Sequence, residues 1–247
     1  MSLSQSAVSG PGYLRLGLQR IRQPGVRRFV LIPLALNLVL FASLIGWGAS
    51  AFGRWMDSLI GGLPQWLGFL EWLMWPIFAL AVLLALFFGF SVVANLIASP
   101  FYGMLAERVA ADERGSASPD QSWQALLISV PRSLGRELRK LAYYLPRLLA
   151  LLLLSLLPGI NLLASPLLLL FGVWMMAVQY LDYQADNDQV GFNDMLLQLR
   201  KQRMKVLGFG LPVYFGLMLP LVNLLVMPAA VAGATLLWVR EARQQGN

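Results

Sequence analysis

The nine residues Pro158-Gly159-Ile160-Asn161-Leu162-Leu163-Ala164-Ser165-Pro166, "PGINLLASP", sit in the middle of an apolar run. That run, Leu148 to Leu181, is 34 residues long and holds no Asp, Glu, Lys or Arg. About 20 apolar helical residues cross a bilayer and two crossings need about 40, so this length is wrong for either. Proline and glycine at its centre interrupt the helix there. A hairpin that goes partway into the membrane and returns has this length and this central break; one kinked span is the alternative. The pattern recurs. Pro220-Leu221-Val222-Asn223-Leu224-Leu225-Val226-Met227-Pro228 repeats the form P-x-x-N-L-L-x-x-P inside a second window of 34 residues, Val206 to Val239. Asn95-Leu96-Ile97-Ala98-Ser99-Pro100 repeats its second half.

Two further windows lie upstream, Phe29 to Gly53 with 25 residues and Trp72 to Ala106 with 35, again without Asp, Glu, Lys or Arg. At 1.5 Å per residue the first reaches about 37 Å and crosses once. The second is expected to cross over residues 72–95. Pro100 is then expected to interrupt the helix, leaving "ANLIASPFYGMLAERV" to continue along the interface. Trp66, Trp72 and Trp75 read as an aromatic belt at one membrane surface. Arg27-Arg28-Phe29-Val30-Leu31 also has the look of a twin-arginine export signal, with Ala49-Ser50-Ala51 as a cleavage site. The apolar run is longer than the roughly 7 to 15 residues of a signal core, so it is read as a retained span.

Composition agrees: 58% of residues are hydrophobic and 13% charged, and the mean hydropathy is +0.65. The chain is read as an all-α integral membrane protein with one membrane domain, residues 1–247. It comprises spans at 29–53 and 72–95, an interfacial helix at 121–147, and re-entrant hairpins at 148–181 and 206–239. The absence of cysteine and histidine removes thiolate chemistry and the usual general base, metal ligand and proton relay. No nucleophile–base pair is visible, so no enzyme, metal or cofactor is expected. The net charge of +7 fits attraction to anionic headgroups or to an anionic solute. No nucleic-acid partner is expected.

Topology follows from the cations. If both late windows return to the side they left, 18 of 19 Lys and Arg residues share the side of the N-terminus and only Arg54 is opposite; full crossings give 14 against 5. The count favours hairpins and places both termini in the cytoplasm. Between the spans, Trp123, Leu126, Leu127, Val130, Leu134, Leu138, Leu141 and Leu145 recur mostly every three to four residues, with Arg132, Arg136, Arg139 and Lys140 elsewhere. This is an amphipathic helix lying at the interface. Its cations are read as reaching for lipid phosphates, with guidance of a solute as the alternative.

Five segments, "QPGVRRFVLIPLALN", "ANLIASPFYGMLAE", "YYLPRLLALLLLSLLPGINLLASP", "MMAVQYLDY" and "MPAAVAGATLLWV", in this order and spacing, resemble the CysZ-type sulfate permeases of the bacterial inner membrane. The resemblance covers about Gly12 to Arg240. Gln184, after Asp182-Tyr183, departs from it, since the family pattern leads one to expect proline there. The resemblance implies uptake of sulfate for assimilation into cysteine, by a helical protein with two spans and hemi-penetrating hairpins that works as an oligomer.

The candidate site is the stretch Arg22 to Pro33, "RQPGVRRFVLIP", where Pro24 and Gly25 are read as opening the first span. A helix N-terminus offers a tetrahedral dianion free N–H groups and the positive end of the macrodipole, and Arg27 and Arg28 add charge-assisted hydrogen bonds. The resemblance maps a sulfate-binding element onto Gly25, Val26, Arg27 and Arg28. The competing reading is that the two arginines only fix topology. Glu107, just past the second span, is read as pairing with Arg28 or Arg27, or as solvated at the interface. Asn95, Asn161 and Asn223 either satisfy backbone groups freed where the helices break or line an anion path. Small residues at Ala229, Ala230, Ala232, Gly233 and Ala234 permit close packing and self-association. No nucleotide-binding loop and no intramembrane relay residue is present, so transport down the sulfate gradient is expected. The rival class is a membrane-shaping or anionic-lipid-binding scaffold without transport, which would lack saturable sulfate binding.

Overall fold

In hydrocarbon a chain must satisfy its backbone polar groups internally, which a helix does within one segment. The computed structural model describes residues 9–60, 69–117, 123–157, 159, 161–219 and 222–245, and among them every regular element is a helix. In order these are α1 Gly10–Ile21, α2 Arg28–Ile60, α3 Phe69–Arg114, α4 Trp123–Ser155, α5 Asn161–Asn187, α6 Phe192–Lys201, α7 Arg203–Met218 and α8 Val222–Gln245. Three of them carry stretches long and apolar enough to cross a membrane: Leu31–Ser58, Asn161–Asn187 and Val222–Ala242. The chain is an all-α membrane protein.

Both late windows are broken where the repeated motif places the break. α4 ends at Ser155 and α5 begins at Asn161; α7 ends at Met218 and α8 begins at Val222. The helices on either side fold back on each other. Tyr144 of α4 stacks on Phe171 of α5 at 5.5 Å, and farther from the break Arg136 meets Asp182 at 2.7 Å. Around the second break Gly216 faces Val226, and farther out Lys205 meets Glu241. Partners at growing distance from a break on both sides mean antiparallel hairpins, so a single kinked helix is ruled out for each window. The interfacial segment and the first apolar arm are one helix, α4, which runs through Pro131 and Pro146.

The second window corrects an expectation. Pro100 does not interrupt the helix: α3 continues through it to Arg114, 46 residues in all. A proline removes one N–H donor from the ladder, and the residues after it, Phe101, Leu105, Ala106, Val109 and Ala110, are buried, so tertiary packing carries the helix onward. Residues 72–95 are helical, whereas Trp66 and the side chain of Asn95 lie outside the described residues.

The chain forms two compact units, residues 31–99 and the combination of 1–30 with 100–247. In the first, Phe52 of α2 stacks on Phe78 of α3 with centroids 4.1 Å apart and meets Trp75 edge-on. Along α2, Leu31, Leu34, Leu38, Val39, Leu44 and Ile45 are exposed, the surface a lipid-facing helix presents.

In the larger unit α8 is the core. Ala229, Ala230, Val231, Ala232 and Ala234 have no exposed surface, because α1 lies directly on this face. A Cβ on Gly17 would sit 2.0 Å from the Ala229 carbonyl oxygen and 2.7 Å from Gly233 N, so only glycine permits the approach. The small-residue stripe is therefore spent inside the chain and is not an interface for self-association. α1 was not anticipated, although Tyr13, Leu14, Gly17 and Ile21, all buried, already show helical spacing. Gln184, where the family pattern leads one to expect proline, is buried within an unbroken α5.

Candidate functional site

The stretch between α1 and α2 folds as a tight turn. The Val26 N–H donates to the Gln23 carbonyl at 3.2 Å, Pro24 and Gly25 hold the two central positions, and Gly25 has φ +87°. Proline at the first central position and a left-handed glycine at the second define a type II turn. The expectation that Pro24 and Gly25 open the helix is corrected: α2 starts at Arg28, three residues later. The Arg27 N–H also turns back to the Gln23 carbonyl at 3.4 Å, and the Phe29 N–H goes to the Val26 carbonyl at 3.1 Å. Among the described residues no backbone bond engages the Gly25 N–H.

Side chains alternate in burial across the turn. Val26 is 2% exposed and Phe29 4%, so these two apolar groups anchor the loop by burial. Gly25, Arg27 and Arg28 are exposed, and the space over Gly25 is open to 4 Å. The Arg28 guanidinium lies 4.8 Å from the Phe29 ring centroid, a cation–π contact that orients it. Arg22 is exposed nearby. Arg20 is committed elsewhere: it meets Glu113 at 3.1 Å, and Glu113 also takes Arg240 at 2.9 Å. The turn thus offers two adjacent guanidinium groups, an open glycine and the start of a long apolar helix, a donor set suited to a small oxyanion.

Glu107 is half-buried on α3. Burial raises its carboxyl above the ordinary glutamate value, and the field of Arg132 lowers it in part. Asn161 and Asn223 occupy matching places at the two hairpin tips: the Asn161 N–H donates to the Leu157 carbonyl at 3.1 Å and the Asn223 N–H to the Leu219 carbonyl at 3.1 Å. The backbone closes each break; neither amide side chain makes a hydrogen bond among the described residues. Asn161 is exposed and Asn223 half-buried. No side-chain hydrogen bond among the described residues joins either of them to the Gly25–Arg28 turn.

Sequence reasoning missed the ion-pair ladder between α4 and α5. Arg132 meets Asp186 at 3.1 Å, Arg136 meets Asp182 at 2.7 Å, and Lys140 meets Asp182 at 3.4 Å and Glu137 at 2.7 Å. The side chains of Arg136 and Lys140 are only 9% and 4% exposed. They do not reach for lipid phosphates; they are buried counter-ions of α5. The signal was present, since Arg132, Arg136 and Lys140 recur every four residues and Asp182 and Asp186 share that spacing. Two helices with matched i, i+4 charges of opposite sign can pair along one face.

With this geometry in place, the comparisons are specific. A family profile described as "Sulfate transporter CysZ/Etoposide-induced protein 2.4" matches residues 13–228. The chain belongs to this family. It is 56% identical over 236 residues to a protein named sulfate transporter CysZ from Pseudomonas paraeruginosa, covering 95% of this chain and 96% of that one. A relative of the same name from Pseudomonas aeruginosa is also 56% identical. One from Pectobacterium atrosepticum is 42% identical over 236 residues, 86% of its length. The match takes in the Gly25–Arg28 turn, the α4–α5 ladder and both hairpin tips.

Proposed function

We propose that this protein is a sulfate permease of the bacterial inner membrane that takes up sulfate for assimilation into cysteine. The observation that carries the reading is the Gly25–Arg28 turn, which presents Arg27 and Arg28 beside an open left-handed glycine at the foot of a 28-residue apolar stretch, Leu31–Ser58. Family membership supplies the substrate class. Sulfate is a tetrahedral dianion; a planar guanidinium fork suits paired N–H donation to it, and the Gly25 N–H and the first turn of α2 add dipolar attraction.

In this reading α2 and α3 are the two crossings, and the α4–α5 and α7–α8 hairpins enter partway. The apolar arm of α4, Leu148 to Ser155, spans about 12 Å at 1.5 Å per residue, short of a roughly 30 Å hydrocarbon core; α5 and α8 carry stretches long enough to cross, so the return of each hairpin rests on the cation count. The cation distribution supports cytoplasmic termini in this reading. Asn161 and Asn223 stand at the hairpin tips as polar groups along an anion path, and the protein assembles as a homo-oligomer among membrane lipids without catalysing a reaction. The exposed α2 face is the lipid contact.

The test replaces both arginines by lysine, which keeps the charge but loses the planar fork. Purified Arg27→Lys, Arg28→Lys protein is expected to bind labelled sulfate about tenfold more weakly or worse, with unchanged thermal stability. Unchanged affinity overturns the side-chain assignment. Absence of saturable sulfate binding in the unaltered protein overturns the permease reading in favour of a scaffold.

A further inference from the structure

Away from the turn, the polar ends of α6, α7 and α8 enclose a cleft of about 330 Å³, a size at the lower end of small-ligand sites. Its floor is apolar: Leu181 of α5, Leu199 of α6, Val206 of α7 and Leu237 of α8, all buried. Trp238 forms a wall, and its indole N–H donates to Asp188 at 2.9 Å. Asp188 is itself held by Arg114 at 2.6 Å, so the ring is fixed from behind.

The polar groups at the rim are unlike those of the turn. They are the amides of Gln198 and Gln202 and the carboxylate of Glu241. No Lys or Arg is among the lining residues, and Lys205, the cation at the rim, is engaged by Glu241. Glu241 has a side chain only 12% exposed; one oxygen, Oε1, accepts from Lys205, and Oε2 has no hydrogen bond among the described residues. No side-chain hydrogen bond among the described residues occupies Gln198 or Gln202. A carboxylate oxygen with no hydrogen bond of its own takes a cation that enters the cleft. Two amides carry N–H donors suited to a carboxylate. The indole face and the leucine floor take an apolar body.

We propose that this cleft is a binding site for a small zwitterion, a free α-amino acid with an apolar side chain. Its ammonium sits on Glu241, its carboxylate on the Gln198 and Gln202 amides, and its side chain against Trp238 and Leu199. The inference does not depend on sulfate being the transported ion, and it is read by ligand binding alone.

The probe is labelled L-leucine, titrated into the purified full chain in detergent by equilibrium dialysis, with unlabelled isovalerate and isoamylamine as competitors. Saturable binding near one per chain is expected. Isovalerate, which lacks the ammonium and the carbon that bears it, is expected to compete at least about tenfold less well than leucine, chiefly through the lost charge-assisted hydrogen bond. Isoamylamine, which lacks the carboxylate, falls between them. Two variants report the location. Glu241→Gln removes the counter-charge, and Ala242→Trp fills the exposed rim without touching the core or the Lys205 pair; each is expected to weaken leucine at least about tenfold. No saturable leucine binding, equal competition by isovalerate, or leucine binding unchanged in Ala242→Trp each overturns the proposal. Sulfate binding in Ala242→Trp is expected to match the unaltered protein, which separates this site from the turn.

Discussion

Arg136 donates its Nε to Asp182 at 2.7 Å with both side chains buried, 9% and 2% exposed. Lys140 approaches the other oxygen of the same carboxylate at 3.4 Å, so Asp182 is the counter-ion of two buried cations. Deleting one partner of a buried pair leaves an uncompensated charge, which costs about 3–5 kcal/mol. Asp182→Ala is expected to lose that much in unfolding measured by thermal melts. Asp186→Ala, opposite a half-exposed Arg132 with only a longer 3.5 Å approach to Arg136, is expected to lose less, about 1 kcal/mol. Replacing Arg136, Lys140 and Asp182 together by apolar residues is expected to recover most of the loss, since the ladder fixes register more than it adds stability. A triple variant as unstable as Asp182→Ala contradicts that account.

Two glycines make opposite tests. Gly17 meets the Ala229 carbonyl with no room for a methyl group, and Gly17→Ala must push α1 off α8. Tyr13, Leu14 and Ile21 then lose their burial, and each buried side chain of this size contributes about 1.5–3 kcal/mol. The variant is expected to lose several kcal/mol in total or fail to fold. Gly25 has open space around it but φ +87°. Gly25→Ala therefore meets only backbone strain, about 1–2 kcal/mol. Equal melting temperatures for the two variants would contradict the packing of α1 on α8.

The helical class and both hairpin breaks were legible in the sequence because they rest on local facts: windows without charge, and P-x-x-N-L-L-x-x-P at their centres. Three features were not legible, each for a physical reason. Pro100 has local stop chemistry, but burial of Phe101, Tyr102, Leu105, Ala106, Val109, Ala110 and Ala111 outweighs one missing hydrogen bond. The alanine-rich face of α8 reads as an interface until a second helix is known to cover it, and α1 is short and carries three basic residues counting its capping Arg22. The α4 cations look solvated because their counter-ions lie 46 residues away in the chain. At the candidate site, residue identity was legible in Gly25 to Arg28, whereas the helix start was displaced because Pro24–Gly25 makes a turn before the helix.

Glu107 gives a pH signature. Burial raises its folded-state carboxyl above the unfolded value, with Arg132 lowering it in part. Between the two values the folded state binds more protons than the unfolded one, so stability falls as pH rises through this window. Above it the penalty is constant. Glu107→Gln is neutral at every pH and is expected to remove this downward step near and just above pH 4.3, the ordinary glutamate value, while leaving the melting temperature at pH 7 unchanged or higher. A marked loss of stability at pH 7 in Glu107→Gln would show instead that the ionised carboxylate is held by a favourable pair, as the pairing with Arg27 or Arg28 requires.

The energy source follows from where charge is absent. Ion-coupled carriers place an ionisable side chain in the membrane to hold the proton or the sodium ion. Here the stretches Leu148 to Leu181 and Val206 to Val239 contain no Asp, Glu, Lys or Arg, nor do Phe29 to Gly53 and Trp72 to Ala106. Asp182, at the edge of one stretch, is engaged by two cations, so taking up a proton there would strand both of them. No nucleotide-binding loop is present to use ATP. Sulfate is therefore expected to move down its electrochemical gradient, with accumulation depending on its consumption inside the cell. The measurement uses proteoliposomes holding only this protein, with equal sulfate on both sides and the membrane potential clamped at zero. Tracer exchange without net accumulation is expected, whether or not a pH or sodium gradient is imposed. Net accumulation driven by either gradient would falsify uncoupled transport, and its loss in Asp182→Asn would then locate the coupling at the α4–α5 ladder.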